Sequence, residues 1–99
     1  MKILALEKGV SGVVEQQFTE RLLQAEAARA WELYQSGVLR EFYFSADRQE
    51  AVLVLECAGA GEARSHLESL PLIEAGLIDF EIVPLAPYPG FARLFAGKR

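Results

Sequence analysis

Within Leu67 to Leu85 the hydrophobic period switches from helical to alternating, across a stop at Ser69-Leu70-Pro71-Leu72. Proline locks φ and lacks an N–H, so no regular helix runs through Pro71. Beyond it, Ile78, Phe80 and Ile82 alternate with Asp79, Glu81 and Val83, the repeat of two that gives a strand one apolar face. The rest of the chain reads in the same terms. Residues 2–7 form a β-rich run closed by Gly9-Val10-Ser11-Gly12, and residues 17–35 carry a long helical period stopped by Ser36-Gly37. Residues 38–45 and 51–57 are two further strands joined by a polar hairpin at 46–50. Ala58-Gly59-Ala60-Gly61 leads into a second helix ending near Leu70, and residues 77–84 make the last strand. The order is βαββαβ. With short loops and right-handed crossovers this is an α+β, ferredoxin-like antiparallel sheet with two helices on one face. Residues 1–99 form a single domain, a core over 1–85 and a C-terminal arm over 86–99.

The closing segment resembles that of the muconolactone isomerases, where a helix bearing a His runs into S/Q-L-P-L and then a D-x-E-V strand. Here those positions are His66, Ser69-Leu70-Pro71-Leu72 and Asp79-Phe80-Glu81-Ile82. Gly37-Val38-Leu39-Arg40 after the first helix fits the same family, and the likeness covers roughly residues 20–85. It implies a dimeric α+β barrel, ring-like homo-oligomers, and a cofactor-independent isomerase that shifts a proton on a small lactone or unsaturated carboxylate. Arg40-Glu41-Phe42-Tyr43 stands where the family carries R-H-L-W, and Leu4 stands at the position of a family His. The alternative is a non-catalytic small-ligand-binding or oligomerisation domain, since one scaffold serves many functions.

Strand parity sorts the sheet into two faces. Leu4, Leu6, Phe42, Phe44, Leu53, Leu55, Ile78, Phe80 and Ile82 are expected under the helices, with Arg40 their one charged companion. Ile3, Ala5, Glu7, Leu39, Glu41, Tyr43, Val52, Val54, Glu56, Asp79, Glu81 and Val83 are expected on the open face. That face is apolar at its centre, and 52% of the 99 residues are apolar. A chain this short cannot bury such a surplus alone, so a homodimer or higher homo-oligomer is expected.

Composition also excludes partners. A net charge of −4 and a pI near 5.0 disfavour nucleic acid, whose phosphates need clustered Lys and Arg. Lys2, Arg93, Lys98 and Arg99 are too scattered to form such a patch. An RNA-recognition sheet needs aromatics on its central strands, and residues 2–7 and 51–57 have none. The apolar run Ile3–Leu6 is too short for a signal peptide or membrane span, which reads as a cytoplasmic chain without membrane contact. Cys57 is the one cysteine and His66 the one histidine, so neither an internal disulfide nor a metal site is expected. No nucleotide- or cofactor-binding motif is present. The acidic set Glu7, Glu56, Asp79 and Glu81 reads as solvated strand ends.

Five side chains remain as candidates for binding a small molecule. Glu26 falls inside the apolar arc of the first helix, between Leu33 and Ala30, at about 100° per residue. A carboxylate aimed at an apolar sheet must be paired, hydrogen-bonded or raised in pKa, and a raised carboxyl suits general acid/base work. His66 flanks the stripe Ala63, Leu67, Leu70 and titrates near neutrality. These two are the candidate acid and base. Arg40 is expected either to pair with Glu26, to clamp a substrate carboxylate, or to snorkel outward from its strand end. Tyr34 and Trp31 read as packing residues that can also face a ligand.

Overall fold

The computed structural model describes residues 1–95. Four strands, β1 (Lys2–Gly9), β2 (Leu39–Phe44), β3 (Ala51–Glu56) and β4 (Ile78–Pro84), form one sheet in the order β2-β3-β1-β4. All three pairings are antiparallel. Helices α1 (Glu20–Gln35) and α2 (Ala60–Glu68) are the two crossovers, and a short helix α3 (Pro71–Glu74) follows α2. Single stretches of 3₁₀ helix occupy Glu15–Gln17 and Pro89–Leu94. This is the expected α+β architecture. No helix among the described residues is long and apolar enough to cross a membrane.

Local chemistry accounts for the boundaries. The Thr19 hydroxyl accepts the Leu22 N–H at 3.2 Å and caps α1, whose first-turn N–H groups lack helical partners. Gly37 leaves the helix with φ 85°, and Gly76 leaves α3 with φ 75°, a region that side chains disfavour. Pro71 does more than stop α2. It opens α3 at the position where a missing N–H is harmless, and Leu72 then reaches the core.

The core lies between one sheet face and the helices. Ile3, Leu53, Leu55 and Phe80 from the sheet meet Leu33, Ala63, Leu67 and Leu70, all at most 3% exposed. Cys57 is buried beside them. Arg64 fastens α2 to β4, donating to Asp79 Oδ1 and to the Phe80 carbonyl, each at 3.0 Å.

Parity is as expected on β3 and β4 but inverted on β1 and at the start of β2. Ile3 pairs with Leu55, and Ala5 with Leu53 and Ile82, so Ile3 and Ala5 lie under the helices, both fully buried. Glu7, opposite Phe80, is on that face too. Leu4 and Leu6 instead lie opposite Val54 and Val52 on the open face. Size misled the assignment, because the bulkier residues of β1 face outward. On β2, Leu39 pairs with Leu55 but Glu41 with the adjacent Val54. The irregularity inserts one residue and flips the strand. Leu39 is therefore buried, Phe42 and Phe44 share its side of the sheet while remaining partly open to solvent, and Arg40 is exposed.

Of the C-terminal arm, residues 96–99, including Lys98 and Arg99, lie outside the described residues. Tyr88 and Phe91 contact edge to face with centroids 5.0 Å apart. Phe91, Leu94 and Phe95 remain exposed, so on this subunit the arm's apolar side chains do not dock.

Candidate active site in the helix–sheet cavity

A cavity of about 240 Å³ opens between α1, α3 and the sheet. Its walls are Leu23, Phe42, Phe44, Leu70, Leu72, Ile78 and Phe80, and Ala27, Ala30 and Ala51 leave the space. Two polar side chains enter it, Glu26 from α1 and Glu7 from β1. A second hollow of about 470 Å³ shares Ala27, Ala30 and Phe42 and adds Trp31, Tyr34 and Leu39. Trp31 and Tyr34 stack there with centroids 5.4 Å apart, one helical turn from each other. The two hollows share a wall, one apolar and aromatic, the other holding the two carboxyls.

Helical phase explains Glu26. Thr19 sets the start of α1, and the buried positions Ala30 and Leu33 set its rotation, so Glu26 points at the sheet. Its Oε1 accepts the Leu72 N–H at 2.9 Å. That donor is free because it belongs to the first turn of α3. Burial pushes the Glu26 carboxyl above the ordinary carboxylate range; the Leu72 hydrogen bond opposes the shift, and the like charge of Glu7 adds to it. Glu7 is itself held, accepting the Ala51 N–H at 2.7 Å. A carboxyl with a raised pKa, anchored by one oxygen in an apolar space, is a better proton holder than an ordinary surface carboxylate.

The other candidates fall elsewhere. Arg40 neither lies under the helices nor reaches Glu26: its Nε donates to the Gly37 carbonyl at 2.6 Å, folding the guanidinium back over the α1–β2 turn. The extra residue in β2 is the cause. His66 sits on α2 outside the cavity lining, its Nε2 3.7 Å from Glu62 one turn earlier. The structure thus puts Glu26 in one hollow and Trp31 and Tyr34 in the hollow that shares its wall, with neither His66 nor Arg40 among the lining residues of either.

Glu7 is the residue that sequence reasoning placed on the wrong face. A signal for it exists. Lys2 pairs with Glu56 and Lys8 with Asp79 across the sheet, so both lysines belong with acids of the open face. That pairing puts Leu4 and Leu6 outward and Ile3, Ala5 and Glu7 inward.

Comparison with known proteins fits this geometry. The crystal structure of a muconolactone isomerase at 3.3 Å resolution superposes with a TM-score of 0.68 and 20% identity, over 90% of this chain and 92% of that one. A 5-chloro-2-hydroxyhydroquinone dehydrochlorinase from Burkholderia phenoliruptrix AC1100, solved with 2,5-dihydroxybenzoquinone, gives 0.66 and 18%, over 91% and 98%. Among curated proteins none matches significantly. The sequence profile of the muconolactone delta-isomerases matches residues 7–90, which spans both carboxyls of the cavity and the aromatic groove. The chain belongs to the muconolactone delta-isomerase family.

Proposed function

We propose that this protein is a cofactor-independent isomerase that moves a proton on a small unsaturated ring, with Glu26 as the acid/base. The observation that carries the reading is a half-buried carboxyl of raised pKa, anchored to Leu72, inside an apolar cavity. Moving a double bond in a lactone and expelling HCl from a ring both require a base at carbon, and the matching family and folds bear names of these two kinds. Glu26 would take the proton from one carbon and return it to another; the oxygen not bound to Leu72 is the one with room to do so. Trp31 and Tyr34 offer stacked rings at the mouth, suited to a planar ligand. The proton transfer rests on Glu26 alone.

The working unit in this reading is a homo-oligomer. Leu4, Leu6, Val52, Val54 and Val83 put an apolar patch at the centre of the open sheet face, where no helix among the described residues covers it. A second copy's sheet would cover it, closing a dimeric barrel.

The catalytic reading is tested by proton–deuterium exchange at carbon in a β,γ-unsaturated butenolide, followed by NMR in D₂O. The protein should catalyse exchange and double-bond migration. Glu26→Gln keeps an acceptor for Leu72 but removes the base, and should lower the rate by about 10²–10⁴-fold. A rate unchanged in Glu26→Gln would remove Glu26 from the reaction.

A further inference from the structure

We infer that Arg29 and Ser69 are positioning residues for Glu26: the hydrogen bond between them seats α3 so that the Leu72 N–H meets one oxygen of the Glu26 carboxyl and leaves the other for the reaction. The inference rests on the reading of Glu26 as the acid/base. Two polar ties join α1 to the corner between α2 and α3. Glu26 Oε1 accepts the Leu72 N–H at 2.9 Å, and Arg29 Nε donates to Ser69 Oγ, also at 2.9 Å. Glu26 and Arg29 are three residues apart, so they stand one above the other on the same side of α1. Ser69 and Leu72 are likewise three apart at the corner. The ties run in opposite chain order, Glu26 to Leu72 and Arg29 to Ser69, as two rungs between the same pair of segments.

Both ends of the second rung are fixed. The single proton of the Ser69 hydroxyl goes to the His66 carbonyl at 2.6 Å, which leaves its lone pairs for Arg29. The Arg29 guanidinium is steadied by Glu32, which accepts from Nη1 at 3.1 Å. An Arg keeps its charge at every pH where a carboxyl titrates, so this rung holds while Glu26 gains or loses its proton. α3 needs such a hold. It is four residues long, its N-terminus has no side-chain cap from Leu70, and Pro71 brings no N–H. Burial of Leu70 and Leu72 keeps it on the core, but apolar contact has no direction. The aim of one N–H is set by directional bonds, and Ser69 supplies one two residues before Pro71. Burial, the Leu72 N–H and Glu7 set the proton affinity of Glu26, and the Arg29 charge is not among the causes. Glu7 on β1 is the other titratable group lining the cavity, whose walls from α3, β2, β3 and β4 are apolar. Arg29 therefore acts through position.

The test compares Ser69→Ala, Arg29→Met and their double variant in the full chain. The Leu72 amide is followed by NMR across pH, and turnover of a β,γ-unsaturated butenolide gives kcat and KM. In the wild type the Leu72 amide shift should follow the titration of Glu26, and Glu26→Gln should abolish that response. Ser69→Ala and Arg29→Met should each weaken it and lower kcat by about tenfold or more, with KM within about threefold. Because the Leu72 N–H favours the ionised carboxyl, its loss should move the acid limb of the pH–rate profile upward. The double variant should fall no further than either single one, as two partners of one bond must. Ser69→Thr keeps the hydroxyl and should retain the wild-type profile. A folded Ser69→Ala with the wild-type Leu72 response, kcat and pH profile overturns the inference, while a slow Glu26→Gln leaves the catalytic reading standing. Additive losses in the double variant overturn it in the same way. A wild-type rate in Glu26→Gln removes the catalytic reading and any positioning role with it.

Discussion

Glu26 has a structural duty, the proposed reaction gives it a chemical one, and the two pull in opposite directions. As an acceptor for Leu72 it joins α1 to α3, yet burial and the neighbouring Glu7 make its ionised form costly. The folded chain therefore keeps a proton at pH values where the unfolded chain has released it. The contribution to stability is full below the unfolded pKa and is lost as pH rises through the raised folded pKa. Glu26→Gln should remove that loss. Its melting temperature should match the wild type in acid and exceed it once the pH passes the raised folded pKa. Parallel melting scans from acid to neutral pH check this; a difference that shrinks toward neutrality would contradict the buried, raised carboxyl.

Among the elements, α3 and the β2 irregularity matter most to the site. The turn Pro71–Glu74 presents the Leu72 N–H and ends at Gly76, whose φ of 75° turns the chain into β4. A Cβ at Gly76 would meet no atom within 4 Å, so the penalty for Gly76→Ala is one of backbone conformation alone. It should cost roughly 1–2 kcal/mol by denaturant titration. A neutral result would mean the turn relaxes, and the Glu26–Leu72 bond with it. The extra residue in β2 turns Arg40 out to solvent and puts Phe42 and Phe44 in the cavity wall.

For the whole molecule, apolar side chains stay accessible at the groove of Trp31, Tyr34, Phe42 and Phe44 and along the arm at Phe91, Leu94 and Phe95, and Val54 at the centre of the open face is only partly buried. The radius of gyration is 16.8 Å, against about 13 Å for a compact chain of this length, as an arm lying away from the core requires. In the proposed homo-oligomer a second copy covers the sheet face. Light scattering at micromolar concentration should find the wild type as a dimer or larger. Val54→Glu puts a charge at the centre of the face and should give a folded monomer. A wild-type monomer would refute oligomerisation through the sheet.

Order and type of the elements were legible from the chain because they depend on local properties. Gly37, Pro71, the 3.6 period of α1 and the alternation of β3 and β4 act within a few residues of themselves. Glu26 was legible for the same reason, since a helix carries its phase in its own sequence. Which face of β1 and of the start of β2 is buried depends instead on what lies opposite. Ile3 and Leu4 are both apolar, and only the pairing with Leu55, Leu53 and Ile82 decides between them. The irregularity after Leu39 depends on the register with β3 and reverses Arg40 without altering local composition. Glu7 and Glu26 are nineteen positions apart on a strand and a helix, and their shared cavity exists only because the fold lays α1 over the sheet. Period is local and so is written in the chain; facing is a relation between distant segments, and tertiary packing alone sets it.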